Sequence, residues 1–409
     1  MRQIKWGIIG YGSIANAFSY SIQASTNSKL ISVFGRNPKK VDSFAHKFHI
    51  CAHHQLDNFI SSEEIDAVYI ATPHSEHFFY TLEAIKHEKH VLCEKPFTMN
   101  AYESMILLDL ANAKNIFLME AFMYRTHPQT RNILDNLNFL SDAKSKIMIE
   151  ASFGFKADVP ATHRLRNPKL GGGAILDVGC YPLTMAKLIA GQFHGLAFAE
   201  PKSLSATGQL DETGVDLQSH AHLIFSDLIE AKISCAINED LSNNLIISGS
   251  KGTITVPDPW HCGQFQAGNS SIHLSHDGGN SKEIKCIDDF GLFTREIEHA
   301  SKCILESKIE SKLICHAETQ SNMFWLDKWR QEMKIDCPKA LIKNSPIFQS
   351  KAYLFQESRL KSIELPGLSK FGSRLALGCD NQTSDLHAFT MFDHFYGSGG
   401  RIFDTAFIY

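Results

Sequence analysis

Short apolar runs alternate with helical spacing over the first third of the chain. Ile4–Ile9, Leu30–Phe34, Ala67–Ile70, Val91–Cys93 and Ile116–Met119 read as buried strands. Between the first two, Ile14, Phe18 and Ile22 recur at the spacing of one buried helix face. Strands that alternate with helices need crossover connections, so residues 1–122 predict an α/β unit: a doubly wound parallel sheet with helices on both faces.

The rhythm changes near Lys146. Lys146–Phe153, Ser203–Gly208, Ser219–Ser226, Leu228–Ile237, Asn244–Gly249 and Thr253–Val256 follow one another as strands, and two helical patterns close the region, Ile287–Leu305 and Ala317–Glu332. Residues 123–335 therefore predict an α+β domain on one open, mainly antiparallel sheet. A Pro- and Lys-containing stretch, residues 336–359, reads as a linker. Beyond it, residues 360–409 pattern as a strand (Arg374–Leu377), a helix (Ser384–Tyr396, stopped by Gly397) and a second strand (Arg401–Asp404).

Composition narrows the function classes. The 409 residues carry 40 Lys and Arg against 44 Asp and Glu, a formal charge of -4, so there is no basic excess for nucleic acid or anionic membranes. No apolar run in the sequence suggests a membrane span, and the N-terminus lacks the plan of a signal peptide. Ten scattered cysteines without a Cys-x-x-Cys pair suit free thiols in a cytoplasmic protein. His46, His49, Cys51, His53 and His54 cluster without a second ligand group at zinc spacing, so no metal is expected.

Candidate chemistry begins with Gly10-Tyr-Gly12-Ser13-Ile14-Ala15, which follows the first strand and opens the first helix. The first glycine permits the turn, the second admits a pyrophosphate, and the small Ala15 lets helix and strand pack closely; this is a Rossmann dinucleotide site. At the end of the second strand, where an acid would grip the ribose 2′-hydroxyl of NAD, the chain has Gly35-Arg36-Asn37-Pro38-Lys39-Lys40. Arg36, helped by Lys40, suits a 2′-phosphate, so NADP(H) is expected in preference to NAD(H). Thr72-Pro73-His74 and Glu94-Lys95-Pro96 end strands at the ligand edge of the sheet, and Asp177 and Tyr181, four apart, share one helix face.

With Asp66-Ala-Val-Tyr-Ile-Ala-Thr-Pro-His-Ser-Glu-His77, Lys89-His-Val-Leu-Cys-Glu-Lys-Pro96 and Gly171-Gly-Gly-Ala-Ile-Leu-Asp-Val-Gly-Cys-Tyr-Pro182, the glycine motif resembles the Gfo/Idh/MocA oxidoreductases over about residues 3–335. Its Tyr181, where many members have His, is similar to the branch holding glucose-fructose oxidoreductase and dimeric dihydrodiol dehydrogenase. The resemblance implies that Lys95 lies by the nicotinamide and the reacting oxygen and that Glu94 helps seat the cofactor, with Thr72, Pro73, His74 and His77 beside it. Tyr181 is then the acid/base, Lys95 its electrostatic activator and Asp177 the orienting carboxylate. Further candidates for substrate contact are Arg125, which lines the cleft or pairs with an acid, His163, Arg164 and Arg166 before the triple glycine, and Trp260, which roofs the cleft or packs as core. Hydride transfer to or from a sugar, polyol or related carbonyl compound is expected, with trans-dihydrodiol dehydrogenation and a non-catalytic dinucleotide sensor as alternatives. By the same resemblance the open sheet pairs with another copy in a homo-oligomer.

The tail resembles another family. Ser373-Arg-Leu-Ala-Leu-Gly378 and Gly399-Gly-Arg-Ile-Phe-Asp404-Thr-Ala-Phe-Ile-Tyr409 are similar to the opening of the aldo/keto reductases. A (β/α)₈ barrel needs about 250 residues. The expectation is a partial (β/α) barrel fragment, fused and truncated, without activity of its own, loosely docked and exposing Phe389 and Phe392.

Overall fold

The computed structural model describes residues 2–140, 145–263, 269–276, 278–279, 281–288 and 290–335, and beyond them only residues 362–364, 371–373, 376–378, 395 and 402–404. Strand β1 (Ile4–Ile9) is apolar on both faces and sits inside a six-stranded sheet. β2 (Ser28–Phe34), β3 (Cys51–His53), β4 (Ala67–Ile70), β5 (His90–Glu94) and β6 (Leu118–Ala121) complete it in the order β3-β2-β1-β4-β5-β6, all parallel. Helices α1 (Ser13–Ser21), α2 (Pro38–Phe48), α3 (Leu56–Ile60), α4 (His74–Lys86) and α5 (Ala101–Lys114) make the crossovers. The strand order reverses direction between β1 and β4, so their carboxyl ends open a crevice there.

Three local differences from the sequence reading have physical causes. β3 is a short, mostly exposed edge strand with no apolar run to announce it. The last strand begins at Leu118, because Asn115 adopts a left-handed conformation (φ 56°) and Ile116 N–H donates to Ala111 O, closing α5. In α1, Phe18 and Ile22 are buried as expected, but Ile14 is 40% exposed.

After α6 (Pro128–Asp135), the chain builds an eight-stranded sheet from β7 (Ile147–Gly154), β8 (Ser203–Leu210), β9 (Asp216–Ile224), β10 (Ile229–Ala236), β11 (Leu245–Gly249), β12 (Gly252–Val256), β13 (Asn269–His276) and β14 (Ser281–Ile287). Its order is β14-β13-β12-β11-β7-β10-β9-β8, antiparallel except for the β7–β10 pair. The fold is thus a Rossmann-type parallel sheet followed by a mixed, mainly antiparallel one, as the pattern predicts. β13 and β14 escape the pattern because polar residues outnumber apolar ones in both: serine and histidine in β13, and serine, lysine and glutamate in the edge strand β14, as suits an edge that resists further pairing. Ile287 ends β14 rather than opening a helix. The helix α8 starts at Leu292, after Asp288 accepts from Phe290 N–H and Gly291 takes an extended cap.

Helix α7 (Cys180–Phe193) packs on β7 and β10. With the turns before it, Pro168–Phe193 is long and apolar enough for a membrane span, which the sequence reading had discounted; its apolar stretch is wholly enclosed by protein, as in a core helix. α8 (Leu292–Leu305) and α9 (His316–Glu332) return to the first domain. Trp6 Nε1 donates to Ser301 Oγ at 2.9 Å, Ala101 N–H donates to Asp327 Oδ2 at 2.8 Å, and Arg330 Nη2 donates to Met99 O at 2.6 Å.

Arg125, in the turn joining the domains, belongs to this framework and not to the substrate. Its guanidinium donates to Glu318 Oε1 at 2.5 Å and to Leu313 O, and both charged side chains are 3% exposed or less. Of the two readings left by the sequence, pairing with an acid is the one observed, which removes Arg125 from the substrate contacts.

Residues 336–409 form a separate unit. Among its described residues, β15 (Ser362–Glu364) pairs antiparallel with β16 (Phe371–Ser373), and β17 (Ala376–Gly378) pairs parallel with β18 (Ile402–Asp404). The expected helix Ser384–Tyr396, apart from Phe395, together with Phe389, Phe392 and residues 336–359, lies outside the described residues.

Arg125→Met leaves Glu318 as an uncompensated buried charge. Unfolding in urea is expected to show a loss of about 3–5 kcal/mol, with the activity of the folded fraction little changed.

Candidate active site

The crevice at the carboxyl ends of β1 and β4 widens into a cleft of about 870 Å³ bounded by both domains. Gly10 makes its floor possible: with φ at +114°, a Cβ there would lie 2.4 Å from Ala71 O. Gly12, by contrast, faces open space. It caps α1 without any side-chain hydrogen bond, and the first turn holds no acid, so the free N–H groups of Ser13, Ile14 and Ala15 await an anion. Ile14 lines the cleft, which is why it is exposed. Thr72 Oγ1, also at the cleft, is buried without a partner. This cradle and its orphaned polar atoms fit a dinucleotide.

Arg36 lines the same end of the cleft and is paired with Glu76 of α4 at 2.6 Å. The sequence reading found no carboxylate here; the fold supplies one from the far side of the crevice. Lys40 stays exposed in the first turn of α2, away from the cleft lining, where its N–H donates to Asn37 Oδ1.

At the other end, residues from both domains converge. Pro73, His74, His77, Glu94 and Lys95 come from the first domain, at the start of α4 and the end of β5, and Arg164, Asp177 and Tyr181 from the second domain. His77 is held between Pro96 O (2.9 Å) and Thr72 O (3.0 Å). Glu94 accepts from the hydroxyl of Tyr69, and Lys95 Nζ donates to Asp177 O at 2.6 Å. Asp177 Oδ1 lies 3.0 Å from Arg164 Nη1, 3.6 Å from His74 Nε2 and 3.8 Å from Lys95 Nζ. A π-helical turn, Ile175–Gly179, presents Asp177, and Tyr181 follows in the first turn of α7, so the expected shared face survives. That turn is fixed by Asp216, whose Oδ2 accepts from Ile175 N–H and whose Oδ1 would lie 2.2 Å from a Cβ on Gly173 (φ +111°).

Electrostatics sorts these groups. Burial works to raise the Asp177 carboxyl, but Lys95, Arg164 and His74 outweigh it and hold it at about 2. Burial lowers His74 to about 3 and His77 to about 4, so both rings are neutral near pH 7. Burial, followed by the charge of Glu94, pushes the Tyr181 phenol well above its ordinary value. Lys95 stands over the ring of Tyr181, 5.2 Å from its centroid, and does not offset that rise. Without a bound partner, the burial of Tyr181 thus favours its protonated form.

Three further sequence candidates lie outside this cluster. Arg166 Nε donates to Asp211 at 2.8 Å and its Nη2 to Glu212 at 2.6 Å, fastening a loop; Arg164, two residues earlier, is the arginine at the cleft. His163 Nδ1 accepts from Leu165 N–H and caps a short turn. Trp260 is fully buried, donates to Ser152 O, and packs behind Tyr181 and Phe153. Unforeseen cleft residues are Tyr11, Glu76, Phe153, Phe155, His261 and Phe293. Only Phe153 and Phe155 had a sequence signal, an alternation running past the end of β7.

Residues 4–122 match the model of an oxidoreductase family with an NAD-binding Rossmann fold, GFO/IDH/MocA, and residues 146–255 match a C-terminal domain of that family. Together they span more than half of the chain. The chain belongs to the Gfo/Idh/MocA oxidoreductase family. It is 29% identical over 342 residues to a trans-1,2-dihydrobenzene-1,2-diol dehydrogenase of Xenopus tropicalis, covering 82% of this chain and 99% of that protein. The human enzyme of the same name is 28% identical over 349 residues, covering 82% and 98%. Among solved structures, an aldose-aldose oxidoreductase from Caulobacter crescentus complexed with glycerol has the same fold (TM-score 0.71, 20% identity, 81% of this chain and 98% of that one). So does a 3-ketoreductase from Actinomadura kijaniata in complex with NADP and TDP-benzene (TM-score 0.70, 21% identity, 81% and 98%).

In this Gfo/Idh/MocA oxidoreductase, His74 carries a pH signature. Its folded value, about 3, lies below the unfolded 6.5, so its contribution is present above pH 6.5 and is lost as pH falls toward 3. Relative to His74→Asn, the wild type is expected to lose stability at up to about 1.4 kcal/mol per pH unit across that window, measured by urea unfolding at stepped pH.

Proposed function

We propose that this protein is an NADP(H)-dependent oxidoreductase acting on the CH–OH or C=O group of a sugar, polyol or related carbonyl compound. The observation that carries the reading is the convergence of Lys95, Asp177 and Tyr181, from two domains, in one cleft with the glycine loop. The nicotinamide, when bound, supplies or accepts the hydride. Ser13, Ile14 and Ala15 bind the pyrophosphate with backbone N–H groups, Arg36 meets the 2′-phosphate, and Thr72, His74 and Glu94 line the inner part. Lys95 stabilises negative charge on the reacting oxygen, and Tyr181 gives that oxygen its proton in the reducing direction. Asp177 orients Lys95 and Arg164, and Arg164, 46% exposed on its side chain, has donors left for substrate hydroxyls.

A second reading, trans-dihydrodiol dehydrogenation or dicarbonyl reduction, is favoured by the names of the dehydrogenase relatives and by the aromatic wall of Phe153, Phe155 and Phe293. Both readings use the same acid and the same cation.

Three further assignments belong to this proposal. The outer face of the second sheet, with a hollow of about 660 Å³ lined by residues such as Ser205, His220, Lys232 and Ser234, is the surface for a homo-oligomer. The eight described cysteines are free thiols, which supports a cytoplasmic site. The tail is an aldo/keto reductase-like segment; the parallel register Ala376↔Ile402 to Gly378↔Asp404 of its two described strands supports that reading.

NADPH consumption over a panel of aldoses, polyols, dicarbonyls and cyclic diols tests the function. Tight cofactor binding without turnover on any of them would favour a sensor. With an accepted substrate, Tyr181→Phe is expected to lower kcat about 10²–10⁴-fold with little change in KM, and near-normal turnover would remove Tyr181 from the chemistry.

A further inference from the structure

Glu76 faces Arg36 across the adenosine end of the cleft, and the two partners are unequal. The Arg36 side chain is 70% exposed and that of Glu76 19% exposed. The acid is seated in the first turn of α4, with Tyr80 one turn further on lining the same end. The guanidinium, on a long solvent-exposed stem, is the partner free to move. Burial raises the Glu76 carboxyl, and Arg36 draws it only part of the way back down.

A ribose 2′-hydroxyl is a hydrogen-bond donor and is held by a carboxylate; a 2′-phosphate is an anion and is held by a guanidinium. This cleft presents both, in contact. Building on the NADP(H) reading above, we propose that Glu76 sets the cofactor preference, competing with a 2′-phosphate for Arg36 and offering its own oxygens to a free 2′-hydroxyl. Arg36 has five N–H donors and can bridge two anions, but the phosphate and the carboxylate then repel one another in a partly desolvated place. NAD(H) brings no such repulsion. The site therefore serves both dinucleotides, with Arg36 favouring the phosphorylated one and Glu76 holding that preference down.

Binding alone tests this, without knowledge of the substrate. The full chain contains four tryptophans, so NADPH and NADH are each titrated against it by quenching of protein fluorescence. Glu76→Gln keeps the side-chain shape and removes the charge. It is expected to tighten NADPH and weaken NADH, moving the ratio of their Kd values roughly tenfold toward NADPH, or ~1.4 kcal/mol. Arg36→Gln is expected to weaken NADPH far more than NADH. A Glu76→Gln ratio within about twofold of wild type, with an unchanged melting curve, overturns the proposal and leaves the NADP(H) reading standing. Equal loss of both dinucleotides in Arg36→Gln overturns Arg36 as the reader of the 2′-phosphate, and with it the competition proposed for Glu76. A wild type that binds neither overturns both readings.

Discussion

Asp177 is 5% exposed, and an isolated carboxylate at that depth would cost several kcal/mol in desolvation. It is kept ionised by Lys95 from the first domain and by Arg164 from its own, with the neutral His74 ring beside them. The charge that the second domain buries is thus shared between cations of both domains. The cleft is consequently not a gap left between two finished units. Its floor is an ion cluster that exists only when both sheets are in register, and α8 and α9 keep them so through Ser301, Glu318, Asp327 and Arg330. Placement of Lys95 is then a property of the whole two-domain framework, reached through one carboxylate.

The same cluster explains how one cleft holds a strong cation and a weak acid side by side. Lys95 spends one N–H on Asp177 O and keeps its charge facing the cleft. Tyr181 is shut in by Phe122, Tyr124, Phe153 and Trp260, which remove water from around its ring. Desolvation disfavours the phenolate, and in the proposed mechanism the proton would stay on the oxygen until a substrate oxygen with growing negative charge takes it. Trp260 and Phe153 would act there by setting that dielectric, without touching a substrate.

Much of this was legible in the chain. The five buried strands of the first sheet are apolar runs, and the glycine loop, Lys95, Asp177 and Tyr181 sit in local motifs whose neighbours dictate the geometry. What the sequence concealed depended on distant pairings. Arg125, Arg164 and Arg166 look alike on paper; their fates are decided by Glu318, Asp177 and Asp211, acids far away or placed by loops. Glu76 was hidden because it comes from α4, whereas the acid expected in a Rossmann site follows the second strand. β14 was missed because an edge strand is polar for a reason, resistance to further pairing, that erases the apolar signal, and β13 beside it carries only two apolar residues, Ile272 and Leu274.

The composition of the cleft also bears on what the substrate must have in common across the two functional readings. Its lining includes the aromatic rings of Phe153, Phe155 and Phe293 and a charged cluster centred on Asp177. Under the proposed function, an apolar ring face would meet the first and neighbouring hydroxyl groups the second. A pyranose offers an apolar C–H face and vicinal hydroxyls; a dihydrodiol offers a flat hydrocarbon ring and one vicinal pair. The two classes therefore present the same amphipathic outline and differ in how many hydroxyls need partners. Any hydroxyl that loses water without gaining a partner is penalised. Under the proposed function, discrimination would come from the count of donors around the ring, and Arg164, which commits Nη1 to Asp177 and is 46% exposed, would offer several.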